Sequence, residues 1–229
     1  MAIHGITLDA AGTIIQVKEP VSKTYSEIAN RHGIPIDAAA IEQAFRTVFP
    51  RMSPLAFGTS EGTELQRQER EWWRTVVRNC LGRFGQHQSF NRFFDEVYGH
   101  YAEADAWYVY EDVDALLTRL EAQSIPTVVV SNFDSRLHNI LRAFSLHDRF
   151  REVLCSSVVG SAKPDARIFN KGCAVLQAPP QQVLHVGDDR RADYDGASKA
   201  GLRAQWLNRT PSRTRTDEEI ATLKEVLLV

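Results

Sequence analysis

No stretch of this 229-residue chain approaches the ~20 consecutive apolar residues needed to span a bilayer, and Met1 to Leu8 lacks the charged and apolar regions of a secretory leader. Cysteine is scarce. Cys80, Cys155 and Cys173 are odd in number, widely spaced and free of any CxxC or Cys/His metal spacing. Three reduced thiols in a soluble, cytoplasmic protein are therefore the expectation. Positive charge is not in surplus either: a formal net charge of -2 argues against a nucleic-acid surface. Internal repeats and low-complexity tracts are absent. What remains is an ordinary globular composition, long enough to bury a substantial core as one large domain or a core with an insertion.

Short apolar runs, each ending in a polar residue, are the strongest pattern present. Ile3 to Leu8 runs into Asp9, Pro126 to Val130 into Ser131, and Val183 to Val186 into Gly187 and Asp188; Val153 to Cys155 and Ala204 to Leu207 add weaker runs. Such runs suit strands buried on both faces of a parallel sheet. Helix-period segments lie between them: Val113 to Ala122, Ser135 to Phe144, Asp165 to Leu176 and Ala192 to Ala200. This alternation predicts an α/β fold, a doubly wound parallel sheet of Rossmann-like design, with ligands gathering at the carboxyl ends of the strands.

After the first strand the alternation stops for roughly ninety residues, far beyond the usual connection of about 2 to 6. Only helices are legible there: one from Pro20 and Val21 to near Gly33, one N-capped by Asp37 through Phe49, a third from Glu64 to Cys80, and a fourth N-capped by Ser89 through Tyr101. Met52 to Gly62 reads as an irregular link. An α-helical cap over residues 18–108, inserted into a core made of residues 1–17 and 109–229, is the domain reading. Arg209 to Asp217 reads as a polar loop and Glu218 to Leu227 as a closing helix.

Chemistry-bearing residues recur at those strand ends. Asp9-Ala10-Ala11-Gly12-Thr13 places a carboxylate where it can attack phosphorus or carbon, with Gly12 allowing a sharp turn behind it. Ser131-Asn132 offers a hydroxyl and amides to an oxyanion, and Lys163-Pro164-Asp165 projects a cation as a helix begins. Gly187-Asp188-Asp189, with Asp193 a turn later, supplies hard oxygen ligands suited to Mg²⁺.

These four motifs, in this order, resemble those of the haloacid dehalogenase superfamily, which also places a helical cap after its first motif. The resemblance covers nearly the whole chain. It implies that Asp9 is the nucleophile, Ser131 the second-motif hydroxyl and Lys163 the cation that screens charge. Gly12, Thr13 and Asn132 would meet the substrate's phosphate. Mg²⁺ would be held by Asp9, the carbonyl of Ala11 and Asp188, with Asp189 or Asp193 in support. The implied activity is hydrolysis of a small phosphorylated metabolite through an aspartyl-phosphate, by a monomer or weak homodimer that binds neither nucleic acid nor membrane.

One position departs from the pattern. Phosphatases of this superfamily carry a second Asp two residues after the nucleophile, and here that position is Ala11. Loss of a general acid or base removes about 10² to 10⁴ in rate, so slow or narrow activity is expected. The alternatives are a 2-haloacid dehalogenase-type hydrolase, which needs no such acid, and a catalytically weak phosphate- or metal-binding regulatory protein. Phosphonoacetaldehyde hydrolases share an Ala here but need a cap lysine, and no lysine lies between Lys23 and Lys163. The Ala-containing first motif with Ser131-Asn132-Phe133-Asp134 is similar to a little-characterised subgroup of unassigned substrate.

Other conspicuous residues have structural readings. Trp72-Trp73 with Arg67, Arg70, Arg74 and Arg78 reads as an amphipathic helix with one aromatic buried and the arginines in solvent. His185 reads as a satisfied core histidine, Asp134 as a helix N-cap, and Arg190 with Arg191 as a balance for neighbouring acids.

Overall fold

The computed structural model describes residues 2–58, 61–210, 216 and 218–228. The first half contains strands β1 (Gly5–Leu8) and β2 (Ile15–Val17), then helices α1 (Val21–Arg31), α2 (Ala38–Val48), α3 (Gly62–Leu81) and α4 (Phe90–His100). Strand β3 (Trp107–Val109), helix α5 (Val113–Ala122), β4 (Thr127–Ser131), α6 (Arg136–Ala143), β5 (Glu152–Cys155) and α7 (Ser156–Val159) follow. The chain continues through α8 (Ala166–Leu176), β6 (Val183–Gly187), α9 (Gly196–Lys199), β7 (Arg203–Leu207) and β8 (Glu219–Ile220). Among the described residues no helix is long and apolar enough to cross a membrane.

Six strands form one parallel sheet in the order β5-β4-β1-β6-β7-β8. Alternate side chains serve opposite faces. Val129, Val153, Leu184 and Val186 pack with Leu116, Leu117 and Ile140 on one side, while Val128, Val130, Leu154 and Val183 pack with Ile168, Phe169 and Cys173 on the other. Helices cover both faces, which is why the strands read as unbroken apolar runs rather than alternating ones. β1 is flanked by β4 and β6, and the later strands extend outward on either side of it. That reversal of order opens a crevice at the carboxyl end of β1.

Two strands too short to read from sequence, β2 and β3, pair antiparallel, with Ile15 opposite Val109 and Val17 opposite Trp107. This ribbon stands where the chain leaves the sheet for helices α1 to α4 and where it returns. The helices share their own apolar cluster, in which Tyr25, Ile28, Val77, Leu81, Phe93 and Phe94 are all buried. Asp37 caps α2 as the sequence predicts, accepting from the Ala40 amide at 2.7 Å. Ser89 makes no side-chain cap hydrogen bond to α4, a correction to that reading.

Arg70, Arg74 and Arg78 do not point into solvent as expected. They lie over the rings of Phe94, Tyr98 and Phe90, with guanidinium carbons 4.6 to 5.2 Å from the ring centres. Cations on aromatic faces tie α3 to α4. Next to Arg70 sits Glu69, 1% exposed, which reaches α7 and the start of α6 instead. Its carboxylate accepts from the Ser135 amide at 2.9 Å, the Ser135 hydroxyl at 2.5 Å and the Ser157 hydroxyl at 2.6 Å. Three donors satisfy a charge that would be costly to bury alone.

The closing helix over 218–227 is not formed. β8 joins the sheet edge, and Ile220, Leu223 and Val226 bury against the core. The hydrogen bonds a helix would have used go elsewhere: Leu223 N–H to Asp112 at 2.8 Å and Leu227 N–H to Gln205 at 3.1 Å. Of the predicted loop at 209–217, residues 211–215 and 217 lie outside the described residues, as do 59 and 60 of the predicted link. The segment 192–200 opens as a wide π-helical stretch, Arg190–Asp195, before α9 begins.

Candidate active site

β1, β4 and β6 end side by side, and the residues that follow them meet. Asp9 leaves β1 with its amide bonded to the Val186 carbonyl at 2.9 Å. The carboxylates of Asp9, Asp188 and Asp193 converge so that one oxygen from each lies within 4.8 Å of the others. Lys163 enters from the loop before α8, and its Nζ donates to Asp9 Oδ1 and Asp193 Oδ1, both at 2.5 Å. Asp9, Asp193 and Lys163 are almost wholly buried.

Two glycines permit this convergence. A Cβ on Gly12, whose φ is +88°, would lie 2.2 Å from an Asp188 oxygen, and one on Gly187 would lie 2.2 Å from Asp193 Cγ. Any side chain at either position would displace a carboxylate.

Electrostatics in the cluster follow from burial and pairing. Burial disfavours the Asp9 anion and, with Asp193 nearby, raises its pKa, while Lys163 works in the other direction. Burial also opposes ionisation of Asp193, but Lys163 and His185 more than offset it and hold this carboxyl well below the carboxylate range. Desolvation and the charges of Asp9 and Asp193 push Asp188 up to about 7. Desolvation disfavours the Lys163 ammonium too, yet its two carboxylate partners keep it firmly protonated.

Asp193 is fully engaged. Its Oδ1 also accepts from His185 Nε2 at 3.1 Å, and its Oδ2 accepts from the Asp189 amide at 2.9 Å. His185 is completely buried, which lowers its pKa, so the neutral ring fits best, with Nε2–H donated to Asp193 and Nδ1 accepting from the Thr7 hydroxyl at 2.8 Å. The satisfied core histidine expected from sequence is what the fold contains, and it steadies the acid that steadies Lys163.

The other expected site residues divide. Ser131 closes β4 at 2% exposure. The Asn132 side chain is not offered to a ligand: its Nδ2 donates to the Lys163 carbonyl at 2.9 Å and its Oδ1 accepts from the Lys163 amide at 2.7 Å. Asn132 thus fixes the backbone that aims the ammonium. Thr13 is fully buried, and among the described residues its hydroxyl has no hydrogen-bond partner. Asp189 stands outside the carboxylate cluster, its Oδ1 capping the next turn through the amides of Arg191 and Ala192 at 2.8 and 2.7 Å. Between the two acids weighed as metal support, Asp193 joins the cluster and Asp189 does not. Asp134 does accept the Arg136 amide at 3.0 Å, but it also takes the Arg136 guanidinium and Trp73 Nε1, the latter at 2.6 Å. Lys23, at the start of the 18–108 segment, is exposed and paired with Glu19.

Sequence reasoning missed Arg209. Its guanidinium donates to the carbonyls of Gly12 and Thr13 at 3.3 and 2.8 Å, grips Asp112 at 2.9 and 3.1 Å, and stacks 3.6 Å from the centre of the Tyr110 ring. The turn behind Asp9 is thereby tied to the last part of the chain. An arginine just past the carboxyl end of a parallel strand was the available signal.

The donor set fits a divalent cation. Asp9, Asp188 and Asp193 against the single ammonium of Lys163 leave an excess of negative charge at a spot that Asp188, itself exposed, opens to solvent, and carboxylate oxygens are the ligands Mg²⁺ prefers. Because Asp193 already holds three donors, Asp9 and Asp188 would contribute most directly.

Replacing Lys163 with methionine is expected to destabilise the fold by about 3–5 kcal/mol, since it leaves two buried carboxylates facing each other. Urea denaturation without added metal measures this. A loss below about 1 kcal/mol would mean that the pairing is not the buried contact described.

Residues 3–201 match the model of a family described as haloacid dehalogenase-like hydrolase. The chain is 32% identical over 203 residues to the Haloacid dehalogenase-like hydrolase domain-containing protein 3 of Mus musculus, covering 87% of this chain and 79% of that protein. Its fold is similar to a HAD phosphatase from Thermococcus onnurineus, with TM-score 0.67, 23% identity and coverage of 97% and 95%. It is also similar to a 2-haloacid dehalogenase from Pseudomonas syringae pv. Tomato DC3000, with TM-score 0.62, 20% identity and coverage of 97% and 96%.

Proposed function

The chain belongs to the haloacid dehalogenase-like hydrolases, and from that premise we propose that it hydrolyses a small phosphorylated metabolite through a covalent intermediate on Asp9. The observation that carries this reading is the Asp9–Lys163–Asp193 triad beside Asp188, a carboxylate held against a cation within a group of carboxylates that could hold a divalent metal. An oxygen of Asp9 attacks phosphorus as the bond to the leaving oxygen breaks. Water then adds to phosphorus, the bond to Asp9 breaks, and phosphate departs.

Asp9, Asp188 and the Ala11 carbonyl would hold Mg²⁺, whose contribution when bound would be charge neutralisation on the transferring group. Lys163 stays protonated beside Asp9 and offers a positive charge to the same developing anion. Ser131 offers a hydroxyl at the end of β4. Ala11 supplies no proton, so the leaving group departs as an anion and takes its proton from solvent. The helical segment 18–108 serves as the cap that shields this chemistry from water.

Turnover of an aryl phosphate by the purified protein is expected with Mg²⁺ and should fall to background in EDTA, recovering when Mg²⁺ is restored. The absence of an acid at Ala11 and the likeness to a dehalogenase fold define the competing result, against which the retained acids speak. Halide release from 2-haloacids that is indifferent to EDTA would replace the phosphatase reading with dehalogenation.

A further inference from the structure

Between the ribbon and helices α1 to α4, and reaching Phe133 just past the end of β4, lies a cavity of about 520 Å³ that the chemistry above does not use. Its walls are aromatic and aliphatic, with Tyr25, Phe45, Trp73, Tyr98, Trp107 and Phe133 among them. Among the described residues no acid lines it, and its charged residues are Arg46 and Arg136. Arg136 is already spent: its guanidinium binds the Asp134 carboxylate and the Tyr98 carbonyl and lies 4.0 Å from the centre of the Tyr98 ring. Arg46 is exposed and paired with Glu42.

Such walls discriminate by what they cannot do. Apart from tyrosine hydroxyls such as that of Tyr101, these walls offer few polar partners, so a sugar or nucleotide placed there would strand most of its polar groups, at about 1–3 kcal/mol each. A flat apolar ring loses nothing and gains edge and face contacts with the surrounding rings. The volume falls within the range of about 300–1,000 Å³ typical of small-molecule sites. Phe133 sets the cavity's position, because it follows Ser131 and Asn132 at the strand end where Lys163 is anchored.

Ala11 supplies an independent constraint on the same molecule. With no acid at that position, hydrolysis is fastest for groups that leave as stable anions, and a phenol, with a pKa near ~10, is a far better leaving group than an alkyl alcohol. We propose that the substrate class is a phosphate monoester of an aromatic, phenol-like alcohol whose ring system occupies this cavity. This rests on the phosphatase reading. The bond from Asp9 to phosphorus forms, the phosphorus–aryl oxygen bond breaks, and the phenolate leaves to take a proton from water.

The test separates binding from chemistry. Titration of 2-naphthol is followed by the fluorescence of Trp73 and Trp107, and kcat and KM are measured for 1-naphthyl phosphate, phenyl phosphate and acetyl phosphate. Saturable quenching is expected, with a KM for 1-naphthyl phosphate about tenfold or more below that for phenyl phosphate, from the extra apolar area buried. Val21→Phe, and independently Val17→Phe, narrow the cavity and should abolish quenching and the naphthyl preference while leaving acetyl phosphate turnover unchanged. Turnover of acetyl phosphate with no quenching and no naphthyl preference would overturn the cavity assignment and leave the phosphatase intact. Saturable quenching abolished by both variants, with none of the three phosphates hydrolysed, would uphold an aromatic site and overturn both the phosphatase reading and the substrate class built on it.

Discussion

Asp9→Asn is expected to lower the Mg²⁺-dependent hydrolysis of an aryl phosphate by roughly 10⁴-fold or more, with KM little changed. The carboxamide is nearly the same size as the carboxylate but cannot form the acyl-phosphate bond, so the covalent route is closed. The fold should survive. Lys163 keeps its 2.5 Å contact with Asp193, and an amide oxygen can still accept from the ammonium. Thermal unfolding of the variant within a few degrees of the parent chain would show that the lost rate is chemical. Retention of more than about a tenth of the parent rate would remove Asp9 from the nucleophile's role and leave the cluster as a metal site alone. Because Asp9 also loses a metal-binding charge in this variant, the comparison is made at saturating Mg²⁺, which isolates the covalent step.

The parts of this site that were legible in sequence are those where the backbone dictates composition. Strands β1, β4 and β6 are covered on both faces, so they are largely apolar, Thr7 and His185 being tolerated because they bond each other, and the polar residue that ends each run marks the crevice. Asp9, Ser131 and Asp188 were found that way. Lys163 was legible because a proline and a capping Asp165 start the next helix; Asp165 does accept from the Arg167 amide at 2.9 Å.

Roles that depend on where a side chain turns were not legible. Asn132 and Asp189 sit beside the expected ligands but spend their side chains on backbone groups, and a one-dimensional pattern cannot distinguish an acid facing the crevice from one capping the next turn. Glu69 shows the same limit. On a helix rich in arginine a glutamate reads as one more solvated charge, and only the approach of Ser135 and Ser157 from distant parts of the chain makes its burial tolerable. The closing helix failed for a related reason: Asp112 captures the Leu223 amide and the Thr222 hydroxyl, a tertiary choice that overrides helix-period spacing. β2 and β3 have only three residues each, too few to show a period.

Ala11→Asp should then reveal what the active site lacks, and its effect should depend on the leaving group. For an alkyl phosphate, whose alkoxide is a poor leaving group, a carboxylic acid at this position supplies the missing proton and should raise kcat by about 10² to 10⁴. For acetyl phosphate, whose leaving group needs no proton, the gain should be less than about threefold, because assistance matters only where charge builds on the departing oxygen. Ala11 is half-buried beside Asp9 and Gly12, so a carboxylate there joins a cluster already crowded with three, and folding of the variant should become more dependent on Mg²⁺ than that of the parent. Thermal unfolding with and without Mg²⁺ measures that second effect. A rise confined to alkyl phosphates would identify a complete hydrolytic scaffold whose substrate range is set by one absent proton donor. An equal rise for both phosphates would assign the new acid to water activation in the second step, and no rise for either would place the rate limit in the cap rather than in the chemistry.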